Sequence, residues 1–509
     1  MPFLPSKRVP TTPTTTRALN LPEILLRVGQ FLPLWIHQAG GSGGSKEDNN
    51  DLAQRYEFKP QTIAACLLVS KYWHKILLPI LWHTYRSVPM WKVPQQILSQ
   101  HSVHLRILHA QLYELDTFRC TGLVELTVPQ QPLEMEAQRC LVRTNPGLKV
   151  LRWHGPLQKV AIEAEDFRGL TRIHTLELAH WEGSGDILGK VLQAVAGSLV
   201  RLELGCIQGT ASNMGLAAET SNALCTKNNY AEIVMPRLET FVFTNSQPRG
   251  PDPTDIVQCC PKLKILDLTL TSDIDITRLA DTLANCCPTL DALTIRESRR
   301  LQLCETLLQQ LGDPHHRQKL NLVHLTVSQT ALTKNLTSAI ILHAQNLESL
   351  SILVQDVDNY DLIDASMVTA FLPLYECRRL KSFSLVVSNR RILSRAILEG
   401  FQVDRWVCKG IEQLSLDFMR PTYEGRWGSC TTAKNAFKEG CSSSVMGWRL
   451  CPEEKGEKIG GAYTLTVHKG FFEGLFDAVK GLGKLKVIKW NKLAFEQAAF
   501  GEKSGGFLI

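Results

Sequence analysis

The chain has 509 residues, 44% of them hydrophobic and 21% charged, with a formal net charge of +7. That length exceeds one ordinary compact domain and suits a repeat array with a small added module. No apolar run approaches the ~20 residues that span a bilayer, and the mild charge shows no basic stripe interleaved with aromatic rings, so neither a membrane nor a nucleic acid is an expected partner.

Residues 1–19 read as a disordered basic tail, with Pro2, Pro5, Pro10 and Pro13, cations at Lys7, Arg8 and Arg17, and no acid before Glu23. They hold no hydrophobic stretch of the secretory kind, so the expected location is the cytoplasm, the nucleus or both. A first helix is predicted next. Asn20 and Glu23 stand at capping-box spacing, and Leu21, Ile24, Leu25, Val28 and Leu32 fall on one apolar stripe. Pro33 stops it. Residues 34–59 form an expected flexible insertion, Gly/Ser-rich at 40–45 and polar at 46–51. A second helix over 62–69 presents Ile63, Leu67 and Leu68. Ser70 then caps a third, which offers Tyr72, Trp73, Ile76 and Leu77 and is predicted to end at Pro79. Three short helices make a very small core, so residues 20–90 are expected to need a partner surface.

From residue 100 onward an internal repeat takes over. The motif L-x-x-L-x-L begins at Leu123, Leu148, Ile173, Leu199, Leu238, Leu263, Leu290, Leu322, Leu347, Leu380, Ile411 and Leu485. Six of the eleven intervals between starts are 25 to 27 residues, the period of a strand plus a helix or turn in leucine-rich repeats. Positions one, four and six are aliphatic or aromatic in all twelve copies. One repeat cannot bury its own apolar face, so neighbours must stack into a continuous core. Helical stretches between motifs, such as residues 276–284, are predicted to cover the outer side. The fold class is therefore α/β: a helical module followed, over 100–509, by a curved solenoid with parallel strands on its concave face. Two insertions interrupt the period, one between Leu199 and Leu238 and a longer one at about 418–462, expected to be mostly disordered.

The ordered set Leu21-Pro22-Glu23, Val69-Ser70-Lys71-Tyr72-Trp73 and Leu81-Trp82 resembles an F-box, the module that docks a protein onto the Skp-type adaptor of cullin ubiquitin ligases. The phrases Cys260-Pro261-Lys262-Leu263 and Cys287-Pro288-Thr289-Leu290, with Asn145-Pro146-Gly147-Leu148 close to them, resemble the cysteine-containing leucine-rich repeats that often follow an F-box. The chain departs from that family in two ways. The insertion at 34–59 separates helices that are usually close in sequence. The family's Asn or Cys three residues after the last motif leucine is also missing, with Pro156, Trp181, Ile207 and Ser246 among the residues found there.

The resemblance implies that Leu21, Pro22, Ile24, Leu25, Val28 and Leu32 grip the adaptor, and that Leu67, Val69, Trp73 and Trp82 complete the packing or join the contact. The chain would then be the substrate-recognition subunit of a cullin–Skp–F-box ligase, non-catalytic and without a cofactor. Motif positions three and five would face an unknown protein target, which places Arg152, Glu177, Arg201, Glu203, Asp267, Thr294 and His324 on the binding side. The other reading is a leucine-rich-repeat scaffold with no ubiquitin role, its helices merely capping the solenoid. The fifteen scattered cysteines read as small buried hydrophobes, since no C-x-x-C or paired histidine spacing for a metal occurs. Cys430, Cys441 and Cys451 lie in the long insertion at spacings that fit no zinc module. Phosphate-loop, hydrolase-elbow, zincin and dinucleotide signatures are missing, so no catalytic residue is expected.

Overall fold

The structure, a computed structural model, describes residues 21–32, 34–37, 56–110, 118–128, 135–155, 163–181, 185–207, 233–244, 251–297, 302–313, 320–329, 333–354, 371–387, 406–418, 448–450, 484–490 and 493–497. The tail at 1–19 and most of both insertions lie outside them. The chain forms two compact units, Met1–His180 and Trp181–Ile509.

The first unit begins with α1 (Pro22–Phe31), α2 (Gln61–Leu67) and α3 (Lys71–Leu81). The predicted capping box is not used at the start of α1: Leu21 is the capping residue, in extended conformation and with no side-chain cap. Ser70 does cap α3, its Oγ accepting from the Trp73 N–H at 3.1 Å. Pro79 does not end α3 but sits inside its last turn. There a proline removes only its own amide bond, and buried Leu77 and Leu81 hold the turn on either side of it. The ends of the 34–59 insertion are more ordered than a pure tether. Strands β1 (Trp35–His37) and β2 (Tyr56–Phe58) pair antiparallel.

Parallel strands follow in both units. The first holds β3 (Thr84–Arg86), β4 (Ile107–His109), β5 (Glu125–Val128), β6 (Val150–His154) and β7 (Thr175–Ala179), each paired with the next. The second holds β8 (Arg201–Gly205), β9 (Thr240–Thr244), β10 (Ile265–Leu270), β11 (Ala292–Glu297), β12 (His324–Gln329), β13 (Ser349–Val354), β14 (Ser382–Val387) and β15 (Gln413–Phe418) in the same manner. Beyond β15, β16 (Trp448–Leu450), β17 (Val487–Trp490) and β18 (Leu493–Gln497) add one parallel and two antiparallel pairings. Every predicted motif thus starts two residues before a strand. From Leu123 to Leu416, each first, fourth and sixth motif residue is at most 2% exposed. At about 1.5–3 kcal/mol for each such side chain, this column is the main favourable term of the fold.

Two earlier copies of the pattern had escaped the sequence count. Trp82, Tyr85 and Ser87, then Leu105, Leu108 and Ala110, are buried at the same three positions around β3 and β4. The repeat therefore runs back to the end of α3. Helices close the other side, among them α4 (Gln95–His101) and α5 (Met135–Arg143) in the first unit, and α6 (Ile276–Cys286), α7 (Leu303–Leu311) and α8 (Lys334–Ile341) in the second. Asp275 caps α6 through the Arg278 N–H at 3.1 Å, and Leu279 and Leu283 are buried on its inner face as predicted.

In six of the twelve repeats an Asn or Cys three places before the motif start organises the turn into the strand. Cys120, Asn145, Cys260, Cys287, Cys377 and Cys408 occupy that place, and all are buried. The Asn145 Nδ2 donates to the Cys120 carbonyl at 2.8 Å and the Leu141 carbonyl at 2.7 Å, while its Oδ1 accepts from the Leu123 N–H at 2.8 Å. Cysteine does a weaker version of the same work. The Cys260 Sγ donates to the Ile256 carbonyl at 3.0 Å, and the Cys287 Sγ to the Cys260 carbonyl at 3.6 Å. The Asn/Cys position of the repeat thus exists in this chain, but ahead of the motif and not behind it.

Candidate interaction surfaces

Helix α1 carries two apolar stripes where the sequence pattern showed one. Leu25 and Gly29 face inward and are buried. Gly29 lies so close to α3 that a Cβ there would stand 2.5 Å from Ile80 Cδ1 and 2.9 Å from Leu77 Cδ2. The outer stripe is Leu21, Ile24, Val28 and Phe31, at offsets of three, four and three, and all four are exposed, Phe31 by 82%. Leu68 at 87%, Val69 at 62% and Tyr72 add to the exposed apolar surface of the module. A helix that only caps a core needs one apolar stripe. The second is surplus to folding.

The predicted adaptor residues divide accordingly. Leu21, Pro22, Ile24, Val28 and Val69 are exposed, whereas Leu32, Leu67 and Trp73 are half-buried. Leu25 is interior and serves the α1–α3 packing. Trp82 is also buried, stacked on His101 with ring centroids 4.8 Å apart, and it belongs to the repeat core. Phe31, Leu68 and Tyr72 were not singled out from the sequence as contact residues, although the i, i+3, i+7, i+10 spacing from Leu21 to Phe31 carried that signal for Phe31.

The outward strand face differs along the chain. In the first unit, parallel register aligns Arg86, His109, Thr127, Arg152 and Glu177. The charged groups around His109, Arg152 and Glu177 pair with one another, whereas the Thr127 hydroxyl has no hydrogen-bond partner among the described residues. Arg152 bonds Glu125 at 2.6 Å and reaches Glu177 at 3.4 Å. Glu177 also meets His154 at 2.6 Å, and His109 stands 3.5 Å from Glu125. Burial pushes the His109 imidazole down to about 4, with Arg86 and Arg152 adding to the depression and Glu125 opposing it. In the second unit Arg201 pairs with Glu203 at 3.0 Å, and Asp267 with Arg296 at 2.7 Å. Burial holds the Asp267 carboxyl above its usual range, against the pull of Arg296.

Past Arg296 on β11, the outward positions of β12 to β14 hold no Asp, Glu, Lys or Arg. Charge returns in the same register at Asp417 on β15 and Lys489 on β17. The middle outward position becomes Thr294, Thr326, Ser351, Ser384 and Ser415, in register across five neighbouring strands. Their flanking positions include His324, Ser349, Ser382 and Gln413 on one side and Ser328, Leu353 and Val386 on the other. Of the predicted target-facing residues, Arg152, Glu177, Arg201, Glu203 and Asp267 are engaged within the sheet, Thr294 belongs to the hydroxyl series, and His324 flanks it. Among the described residues no group of three or more His, Cys, Asp or Glu is placed to hold a metal, and no helix is long and apolar enough to cross a membrane.

These features define the class: an α/β leucine-rich-repeat fold, with one parallel strand per motif, a buried three-position column and helices on the opposite side. No family model matches the chain, and no curated protein matches it. Solved structures similar to it include an internalin from Listeria monocytogenes, 13% identical over 60% of this chain and 74% of that one, with a TM-score of 0.29. Another is the Toll–Spatzle complex of Drosophila, 13% identical over 64% of this chain and 46% of that one, with a TM-score of 0.28. The fold assignment rests on register and burial within this chain.

Proposed function

We propose that this protein is the substrate-recognition subunit of a cullin–Skp–F-box ubiquitin ligase. The carrying observation is the surplus apolar stripe of α1, Leu21, Ile24, Val28 and Phe31, exposed on a module whose own packing uses Leu25 and Gly29. Exposed apolar side chains at helical spacing suit an adaptor groove, in the helix-in-groove mode of recognition. The F-box resemblance of the same residues names the adaptor. The repeat units would hold a target protein on their outward strand face, and the adaptor and cullin would bring a ubiquitin-charged conjugating enzyme near it. The rate gain is then proximity, an encounter in solution becoming a local event at high effective concentration.

The test is capture of the full chain by a purified Skp-type adaptor, with Leu21→Asp plus Ile24→Asp as the contrast. Both sites are exposed in the free protein, so the double variant keeps its fold, but burying two unpaired carboxylates in the complex costs several kcal/mol. Capture of the wild type and loss in the variant support the reading, and recruitment of cullin by the captured complex places the chain in a ligase. A folded wild type that the adaptor ignores leaves the leucine-rich-repeat scaffold.

A further inference from the structure

The outward face of β11 to β15 carries a hydroxyl ladder: Thr294, Thr326, Ser351, Ser384 and Ser415, one from each strand and in register. The charged residues earlier on the sheet bond to one another, but these five hydroxyls have no intramolecular partner among the described residues. Each is half-buried, open on its outward side. Next to the ladder, Leu353 and Val386 stand side by side on adjacent strands, half-buried and apolar. Charge stands only towards the ends of the ladder: Arg296 on β11, which Asp267 already holds at 2.7 Å, and Asp417 and Lys489 in register on β15 and β17.

We propose that this ladder binds an uncharged, proline-rich segment of the target protein in polyproline II conformation. The inference rests on the reading that the strand face holds the target, and it names that target's chemistry. Charge comes first. A charged partner would lose its water over β12 to β14, where the aligned outward residues include no Asp, Glu, Lys or Arg to meet it, which is costly. A neutral one loses little. Periodicity comes second. A ligand crossing successive strands meets a hydroxyl about every 4.8 Å, so alternate rungs stand about 9.6 Å apart. A polyproline II helix repeats every three residues, about 9.3 Å, and its backbone carbonyls have no internal hydrogen bonds. One carbonyl per turn can therefore accept from every second hydroxyl, and the five rungs accommodate about two turns. A β-extended ligand repeats at about 6.7 Å and falls out of step by the second rung. Leu353 and Val386 supply the apolar seat that a pyrrolidine ring needs beside those donors.

The experiment uses the full chain and a capped twelve-residue peptide, (Ala-Pro-Pro)4, followed by calorimetry and fluorescence anisotropy. Binding of this peptide is expected, at least tenfold weaker for (Glu-Pro-Pro)4 and at least tenfold weaker for the variant Thr326→Val, Ser351→Ala, Ser384→Ala. Ser351→Ala alone, which removes a hydroxyl without a partner in the free protein, is expected to weaken binding by a smaller factor and guards against misfolding of the triple variant. The proposal is overturned by a wild type that ignores the neutral peptide at millimolar concentration, by a triple variant that binds as the wild type does, or by equal binding of the charged peptide. Adaptor capture is scored on the same preparations. Its retention alongside failed peptide binding would overturn the ladder assignment and leave the adaptor-docking reading standing.

Discussion

Asn145 offers a stringent test of how the repeats are joined. It is 1% exposed, and its amide group serves three backbone groups: the Leu123 N–H and the Cys120 and Leu141 carbonyls. Asn145→Ala removes all three bonds. The Leu141 carbonyl retains a weaker donor in the Thr144 hydroxyl at 3.3 Å. The other two groups are left buried without their partner, at about 1–3 kcal/mol each. A local loss of about 4 kcal/mol follows, which at 1.4 kcal/mol per decade is about a thousandfold in the opening equilibrium. The assay is native-state hydrogen exchange at the Leu123 amide, read by fragmentation mass spectrometry, because a chain of several units does not unfold in one step. Asn145→Cys is the informative second variant. Cysteine at the same position of other repeats donates to the same two kinds of carbonyl, as Cys260 and Cys287 show. About half of the lost protection is therefore expected to return. Unchanged exchange at Leu123 in the alanine variant would refute the structural role. Equal loss in both variants would refute the equivalence of asparagine and cysteine there.

Two further outcomes follow from the titrating groups. His109 is depressed to about 4 in the folded chain against about 6.5 when unfolded, so between those values the unfolded chain binds a proton that the folded one refuses. Stability therefore falls as pH drops from 6.5 towards 4, by at most about 3 kcal/mol. Melting curves of His109→Gln are expected to show a shallower acid loss than wild type, and parallel curves would contradict the assignment. Burial pushes the Cys120, Cys287 and Cys377 thiols up to about 12, whereas Cys140 is exposed. Brief iodoacetamide treatment of the native protein at pH 8, followed by peptide mapping, is expected to mark Cys140 and spare those three, because the thiolate is the reacting form. Labelling of Cys287 at the rate of Cys140 would show that the turn into β11 opens freely.

The repeat was legible in the sequence because its signal is periodic and redundant. A single leucine triplet means little, but motif starts 25 to 27 residues apart fix strand positions, and each strand appeared where a motif placed it. The same regularity hid the two atypical copies. Trp82-x-x-Tyr85-x-Ser87 and Leu105-x-x-Leu108-x-Ala110 end in small residues, so an aliphatic template passes over them although all six side chains are buried. The phrase that opens with Cys260, Cys287 or Asn145 was visible in the sequence, but what its first residue does was not. Its function depends on which carbonyls lie within reach of a buried amide or thiol, and sequence distance from the motif does not record that.

Sequence by itself determined the α/β repeat, the strand positions, the buried column and the helical module, because side-chain periodicity maps directly onto which face of an element meets the core. Tertiary structure alone decided which of two neighbouring stripes on α1 is spent on folding: the approach of α3 to Gly29 buries Leu25 and leaves Leu21, Ile24, Val28 and Phe31 outside. It also decided that Arg152, Glu177, Arg201, Glu203 and Asp267 engage charges of their own sheet, while the hydroxyls of Thr294, Thr326, Ser351, Ser384 and Ser415 have no partner among the described residues. Parallel register sets those pairings across strands, and residues 25 or more apart in sequence become neighbours about 4.8 Å apart in the sheet.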